Sequence, residues 1–87
     1  MEIIRILNLL SDKTRLKILR LLGEGEKSVS KIVKSSKLTQ PTISHHLKKL
    51  EEAGLIIKRR YKKWVLYSAN LDSLRLFIKK LGLELDL

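Results

Sequence analysis

Thr39-Gln40-Pro41-Thr42-Ile43-Ser44-His45-His46-Leu47-Lys48-Lys49-Leu50 is the stretch whose reading decides the fold. Thr39 is expected to cap a helix, because its hydroxyl can accept a backbone N–H that the first turn leaves unpaired. Pro41 falls in that turn, where a missing N–H does no harm. Ile43, Leu47 and Leu50 follow at i, i+4 and i+7 and form one apolar face. Pro41, Thr42, His45, Lys48 and Lys49 occupy the opposite face, with Gln40 exposed at the leading end. A helix over 39–53 therefore buries one side and offers hydrogen-bonding and basic groups on the other, most of them near its start. A DNA recognition helix needs this arrangement, since its N-terminal residues reach base edges in the major groove. Lysines opposite an apolar stripe also occur on ordinary surface helices, so the flanking segments must carry the case.

Upstream, Val29, Ile32 and Val33 are spaced for a helix that Ser30 would cap, and Lys27 to Val29 reads as a short strand before it. The run Ser35-Ser36-Lys37-Leu38 makes the turn between the two helices. Two helices joined by a short turn, the second presenting polar groups, form a helix-turn-helix. From Lys27 to Leu50 there are six lysines and no acid, so this face is positive and unscreened.

Downstream, Glu51, Glu52 and Gly54 close the recognition helix. A hairpin over 56–67 follows, with β-branched and aromatic flanks around a basic centre. Five of the six residues from Lys58 to Lys63 are cationic. Alone, such a run is a solvated tip. Beside a helix-turn-helix it becomes a wing that can lie along phosphates or enter the minor groove. Lys58, Arg59, Arg60, Lys62 and Lys63 are the expected phosphate contacts. Lys31 and Lys34 can add to them, Tyr61 at the tip can touch the sugar-phosphate chain, and Trp64 and Tyr67 read as packing residues.

The ends of the chain carry a different signal. Ile3, Ile4, Ile6, Leu7, Leu9 and Leu10 make a first helix, about 2–10, apolar nearly all round. Burial on two faces in so small a chain implies a second subunit. The last helix, about 70–82, carries Leu71, Leu74, Phe77, Ile78 and Leu81, with Leu76 off that face, and is likewise over-supplied. Ile3, Ile4, Leu7, Leu10, Leu74, Phe77, Ile78 and Leu81 are the expected dimer contacts. Between the first helix and the strand, Ser11 or Asp12 caps a helix running to about Leu22. Ile18, Leu19 and Leu22 point inward along it, and Gly23 and Gly25 stop it.

The 87 residues suffice for one domain, near the size where a single core is marginal. They are 44% apolar and 32% charged, a globular composition, and the net charge of +10 calls for a polyanionic partner. No cysteine is present, which excludes disulfides and thiolate metal sites. No run approaches the roughly 18 apolar residues of a membrane span. Met1-Glu2-Ile3-Ile4-Arg5 puts charges where a signal peptide avoids them, so a cytoplasmic location is expected.

The order helix, helix, strand, helix, recognition helix, hairpin, helix describes a mainly α fold with a β-hairpin wing. Over nearly its full length the chain resembles the ArsR-type winged helix-turn-helix transcriptional regulators. Leu10-Ser11-Asp12-Lys13-Thr14-Arg15-Leu16-Lys17-Ile18-Leu19 and Leu38-Thr39-Gln40-Pro41-Thr42-Ile43-Ser44-His45-His46-Leu47 carry the match. So do Leu50-Glu51-Glu52-Ala53-Gly54-Leu55-Ile56 and Trp64-Val65-Leu66-Tyr67-Ser68. The resemblance implies a homodimer, held by its first and last helices, that represses transcription. Metal-sensing members have Cys-x-Cys where this chain has Ser28-Val29-Ser30, and serine hydroxyls are poor ligands for soft metals. The last helix offers Asp72 and no histidine. His45 and His46, about 100° apart on their helix, cannot chelate one ion together. No metal or other cofactor is therefore expected. His46 should make a structural hydrogen bond and His45 should face DNA. Lys37 stands where the family often has glycine, and the wing tip lacks glycine too.

The expected function is sequence-specific binding of double-stranded DNA, by Gln40, Thr42, Ser44 and His45 at bases or nearby phosphates, with Thr39 and Pro41 in the same DNA-binding set, and by the cations at phosphates. A nonspecific DNA-coating protein fits the charge equally well, but pure phosphate binding needs no Gln, Thr and Ser at the start of the recognition helix. A winged-helix adaptor binding an acidic protein is a third reading. Nothing points to an enzyme: there is no nucleophile–base pair, phosphate-cradling glycine loop or pocketed acid pair.

Overall fold

A computed structural model describes residues 2–83. In chain order it contains α1 (Ile3–Leu10), α2 (Lys13–Gly23), β1 (Lys27–Ser28), α3 (Val29–Ser36), α4 (Gln40–Glu52), β2 (Ile56–Tyr61), β3 (Trp64–Ala69) and α5 (Leu71–Lys80). This is the order expected from the sequence. The alternating tail lies, beyond Leu83, outside the described residues.

Of the two candidate caps for α2, Asp12 takes the role: its Oδ1 accepts from the Arg15 N–H at 2.9 Å. Ser11 instead closes α1, its hydroxyl donating to the Asn8 carbonyl at 2.6 Å. Gly23 is the last residue of α2, and the chain leaves its helical path at Gly25, with φ of 143°.

The cap of α3 is Ser28, not Ser30. Ser28 has the extended backbone a cap requires, and its Oγ accepts from the Lys31 N–H at 3.2 Å. Ser30 lies inside the helix, its Oγ 3.2 Å from that of Ser28. The strand thus ends sooner than its apolar pattern implied. At its far end α3 runs on through Ser36, which the sequence assigned to the turn. The Ser36 hydroxyl donates to the Val33 carbonyl at 2.9 Å and accepts from the Leu38 N–H at 3.0 Å, stitching the helix end to the turn. Lys37 then takes the left-handed conformation, φ 61° and ψ 20°, at a cost of about 1 kcal/mol for a residue with a Cβ.

The sheet is antiparallel in the order β1-β3-β2. Leu55 and Ile56 bury the base of the hairpin, while Tyr61 and Trp64 face each other across its tip. Asn70 fastens α5 to the corner between α4 and β2. Its backbone N–H donates to the Leu55 carbonyl at 2.9 Å, its Nδ2 donates to the Gly54 carbonyl at 3.0 Å, and its Oδ1 caps α5 through the Ser73 N–H at 3.2 Å.

One core unites these elements. Ile6 comes from α1, Ile18, Leu19 and Leu22 from α2, Ile32 from α3, Ile43, Leu47 and Leu50 from α4, and Phe77 from α5; Leu55, Ile56 and Tyr67 complete it. Among the described residues no polar or charged side chain is fully buried, so the packing of the core itself rests on shape.

Candidate nucleic-acid interface

The recognition helix is oriented by its own buried face. Ile43, Leu47 and Leu50 are excluded from solvent, and this turns Gln40, Pro41, Thr42, Ser44, His45, Lys48 and Lys49 outward, every one of them exposed. Thr39 caps the helix as expected, accepting from the Thr42 N–H at 3.4 Å. Its hydroxyl also donates to the Thr42 hydroxyl at 2.9 Å. That leaves the proton of Thr42 itself available for an outside acceptor.

His46 and His45 part as the sequence predicted. His45 is exposed, whereas His46 turns toward α2 and its Nδ1 lies 3.3 Å from Arg15 Nη1. The same guanidinium donates through Nε to the Leu9 carbonyl at 2.8 Å. One side chain thereby joins the end of α1, the start of α2 and the middle of α4. Arg15 can only donate, so His46 must present an unprotonated Nδ1 to it. Burial pushes the His46 pKa below its ordinary value; Arg15, His45 and Lys49 push the same way and Asp12 opposes them.

The wing is sorted by strand parity. Cross-strand partners share a face, so Lys58 and Arg60 lie with Tyr67 and Val65, while Arg59 and Tyr61 lie with Leu66 and Trp64. Tyr67 is buried, so the first face looks into the body of the protein; there Lys58 shares a hollow of about 430 Å³ with Gln40 and Ser44. Arg59, on the other face, is engaged by Glu26: Nε donates to Oε2 at 2.6 Å and Nη2 to Oε1 at 2.7 Å. This bidentate pair holds the Glu26 carboxyl below its ordinary pKa. Among the described residues, Arg59 is therefore the one of the five wing cations held in an ion pair within the protein. Tyr61 is exposed at the tip, with Arg59 Cζ and Lys62 Nζ at 5.6 and 5.5 Å from its ring centre.

The Tyr61-Lys62-Lys63-Trp64 turn is closed without glycine. Lys62 takes φ of 54° and Lys63 does not go positive, the sign pattern of a II′ turn. The sequence placed Trp64 among the packing residues, yet it is 45% exposed; Tyr67 does pack, at 8%. Trp64 opens its strand opposite Tyr61, and both rings are about half exposed at the hairpin tip.

On the terminal helices Ile4 and Leu7 are 63% and 43% exposed, and Leu81 is exposed as well. Ile3, Leu10 and Leu74 pack at the margin of the core and Ile78 is half-buried. Phe77, expected among the partner contacts, is buried in the protomer's own core. Among the described residues no group of three or more His, Cys, Asp or Glu side chains gathers to hold a metal ion, and no helix is long and apolar enough to cross a membrane.

A capped recognition helix beside a basic hairpin defines a winged helix-turn-helix DNA-binding protein. Residues 12–58 match the arsR family of bacterial regulatory proteins. The chain is 45% identical over 69 residues to an HTH-type transcriptional regulator of Methanocaldococcus jannaschii, covering 78% of each. It is 43% identical over 65 residues to the arsenical resistance operon repressor of Escherichia coli, covering 74% of this chain and 56% of that one. Among solved structures it superimposes on an ArsR-like regulator from Rhodococcus at a TM-score of 0.82, with 25% identity over 92% of this chain and 78% of the other. The homodimeric winged helix-turn-helix DNA-binding domain from Mycobacterium bovis gives 0.76, with 32% identity over 90% and 73% of the two chains. The chain belongs to the ArsR family and is a winged-helix transcriptional regulator.

Proposed function

We propose that this regulator is a homodimeric repressor that reads an inverted repeat in double-stranded DNA and holds no metal. The observation that carries the reading is the division of labour on the exposed surface. Uncharged hydrogen-bonding groups (Gln40, Thr42, Ser44) cluster at the start of α4, and cations (Lys48, Lys49, Lys58, Arg60, Lys62, Lys63) flank them. The first set suits base edges and the second suits phosphates. Pairing through Ile3, Ile4, Leu7 and Leu10 of α1, Leu74 and Ile78 of α5 and Leu81 just beyond it would set two recognition helices about 34 Å apart, one turn of the duplex. Phe77 would support this surface from beneath. The Mycobacterium bovis relative is a homodimer, which favours the same assembly here.

The Ser28 and Ser30 hydroxyls are hydrogen-bonded to each other, and that of Ser28 also accepts from the α3 backbone, a capping arrangement with no soft ligand in it. Regulation by the protein's own concentration fits this chemistry. A DNase footprint over the DNA upstream of its own gene, in a salt series, tests the reading. A protected inverted repeat that survives physiological salt is the expected result. Uniform protection that vanishes with salt would replace specific repression with nonspecific coating.

A further inference from the structure

The chain has one tryptophan, and it is not where a tryptophan kept for stability belongs. Trp64 is 45% exposed at the first position of β3, although indole is the side chain with most to gain from burial. The backbone explains the opening. β1 pairs with β3 only as far as Ser28 opposite Leu66, so the edge beside Trp64 is left to the first turn of α3. Trp64 therefore borders two adjoining hollows. One, about 430 Å³, lies between the hairpin and the starts of α3 and α4, with Ser30, Gln40, Ser44 and Lys58 on its walls. The other, about 590 Å³, is bounded by Lys31 and Lys34. Lys63 Nζ stands 5.1 Å from the indole centre. Lys27, Lys31, Lys34, Lys58 and Lys63 thus border an exposed aromatic face, and Glu26, the one acid lining these hollows among the described residues, is held by Arg59.

We propose that Trp64 is a DNA contact in its own right, its indole face covering a deoxyribose of the strand that crosses between the recognition helix and the wing. The inference rests on the DNA-binding reading above. With α4 in the major groove and the wing at the neighbouring minor groove, one backbone strand must pass over the ground between Gln40 and Lys58 on one side and Lys31 and Lys34 on the other. Trp64 stands on that ground. The lysines take the phosphates, and the indole takes the apolar sugar between them, which no cation can desolvate favourably. Such a contact is indifferent to sequence and fixes the register of the protein on the duplex.

Because Trp64 is the sole indole, its emission reports on this contact alone. The experiment titrates the full chain with a mixed-sequence duplex two helical turns long at low salt. Acrylamide quenching is followed alongside the anisotropy of an end-labelled copy of the same duplex. Saturation should shield the indole from acrylamide. Trp64→Ala should weaken binding about tenfold, the effect of returning about 55 Å², roughly a quarter of an indole's area, to water, with the salt slope unchanged because no cation is lost. Trp64→Phe, which keeps an aromatic face and is the milder change for the hairpin, should lose less. Anisotropy that rises while the indole stays open to acrylamide would overturn the contact and leave DNA binding standing. No rise in anisotropy would overturn both.

Discussion

Arg59 and Glu26, 33 positions apart in the chain, are held by two parallel hydrogen bonds of 2.6 and 2.7 Å that tie the middle of β2 to the entry of β1. The wing is thereby braced on its outer face, and one of its cations is withdrawn from the charge offered to DNA.

Arg60 and Arg59 should then behave differently although they are neighbours. Arg60→Ala is expected to weaken binding to all sequences and to flatten the dependence of log K on log salt by about one unit, one phosphate contact fewer. Arg59→Ala should leave that slope nearly unchanged, because its charge is already compensated. Glu26→Gln should steepen it by releasing Arg59. Fluorescence anisotropy over a salt series reads all three; equal slopes for the two arginine variants would show that Arg59 leaves Glu26 when DNA arrives.

Gln40→Ala should cost roughly 1–3 kcal/mol on the operator and relax the choice of base at one position in each half-site. Competition between the operator and single-base variants checks this. Equal loss on operator and random DNA would remove Gln40 from the base-reading set.

Acidification should loosen the recognition helix. His46 has its pKa lowered from 6.5 in the folded chain, chiefly by burial, so the unfolded chain binds more protons between the lowered value and 6.5. Stability therefore rises with pH across that window and is lost as pH falls through it. His46→Gln, which retains an acceptor for Arg15, should flatten the melting temperature against pH in this range.

Leu50→Ala should destabilise the protein by about 2–5 kcal/mol, since the side chain is wholly enclosed where α4 meets the body of the domain. Ile4→Glu should leave the melting curve of the protomer almost unchanged, Ile4 being 63% exposed, yet abolish the dimer in sedimentation. A dimer that survives Ile4→Glu would move the interface off α1.

Lys37→Gly should raise stability by a few tenths of a kcal/mol. Relief of the left-handed strain, about 1 kcal/mol, is partly offset by the greater freedom of glycine in the unfolded chain. The denaturation midpoint gives the answer.

What the sequence disclosed and what it concealed divide by range. The cap at Thr39, the buried face of α4 and the separation of His45 from His46 follow from spacing within a few residues, and all are present. The choice of Ser28 over Ser30 as a cap turned on where pairing with β3 ends, a partner some 40 positions away. The roles of Arg59 and Trp64 turned on strand parity. Parity in a hairpin is fixed by its turn, and a tip reading Lys62-Lys63 carries none of the usual glycine signals. Asn70 carries no signal for its bond to the Gly54 carbonyl, 16 positions back, which needed the third dimension.

Arg15 grips α1 by a carbonyl and α4 by a histidine ring, and this makes the recognition helix a lever. Arg15 holds it at His46, the middle of its 13 residues, so about 9 Å of helix reach from that contact to the tip at Gln40. A swing of about 20° about the contact would carry the tip roughly 3 Å, close to the rise between successive bases on one strand. Whatever shifts α1 would reach the DNA as a change of register, one base at a time.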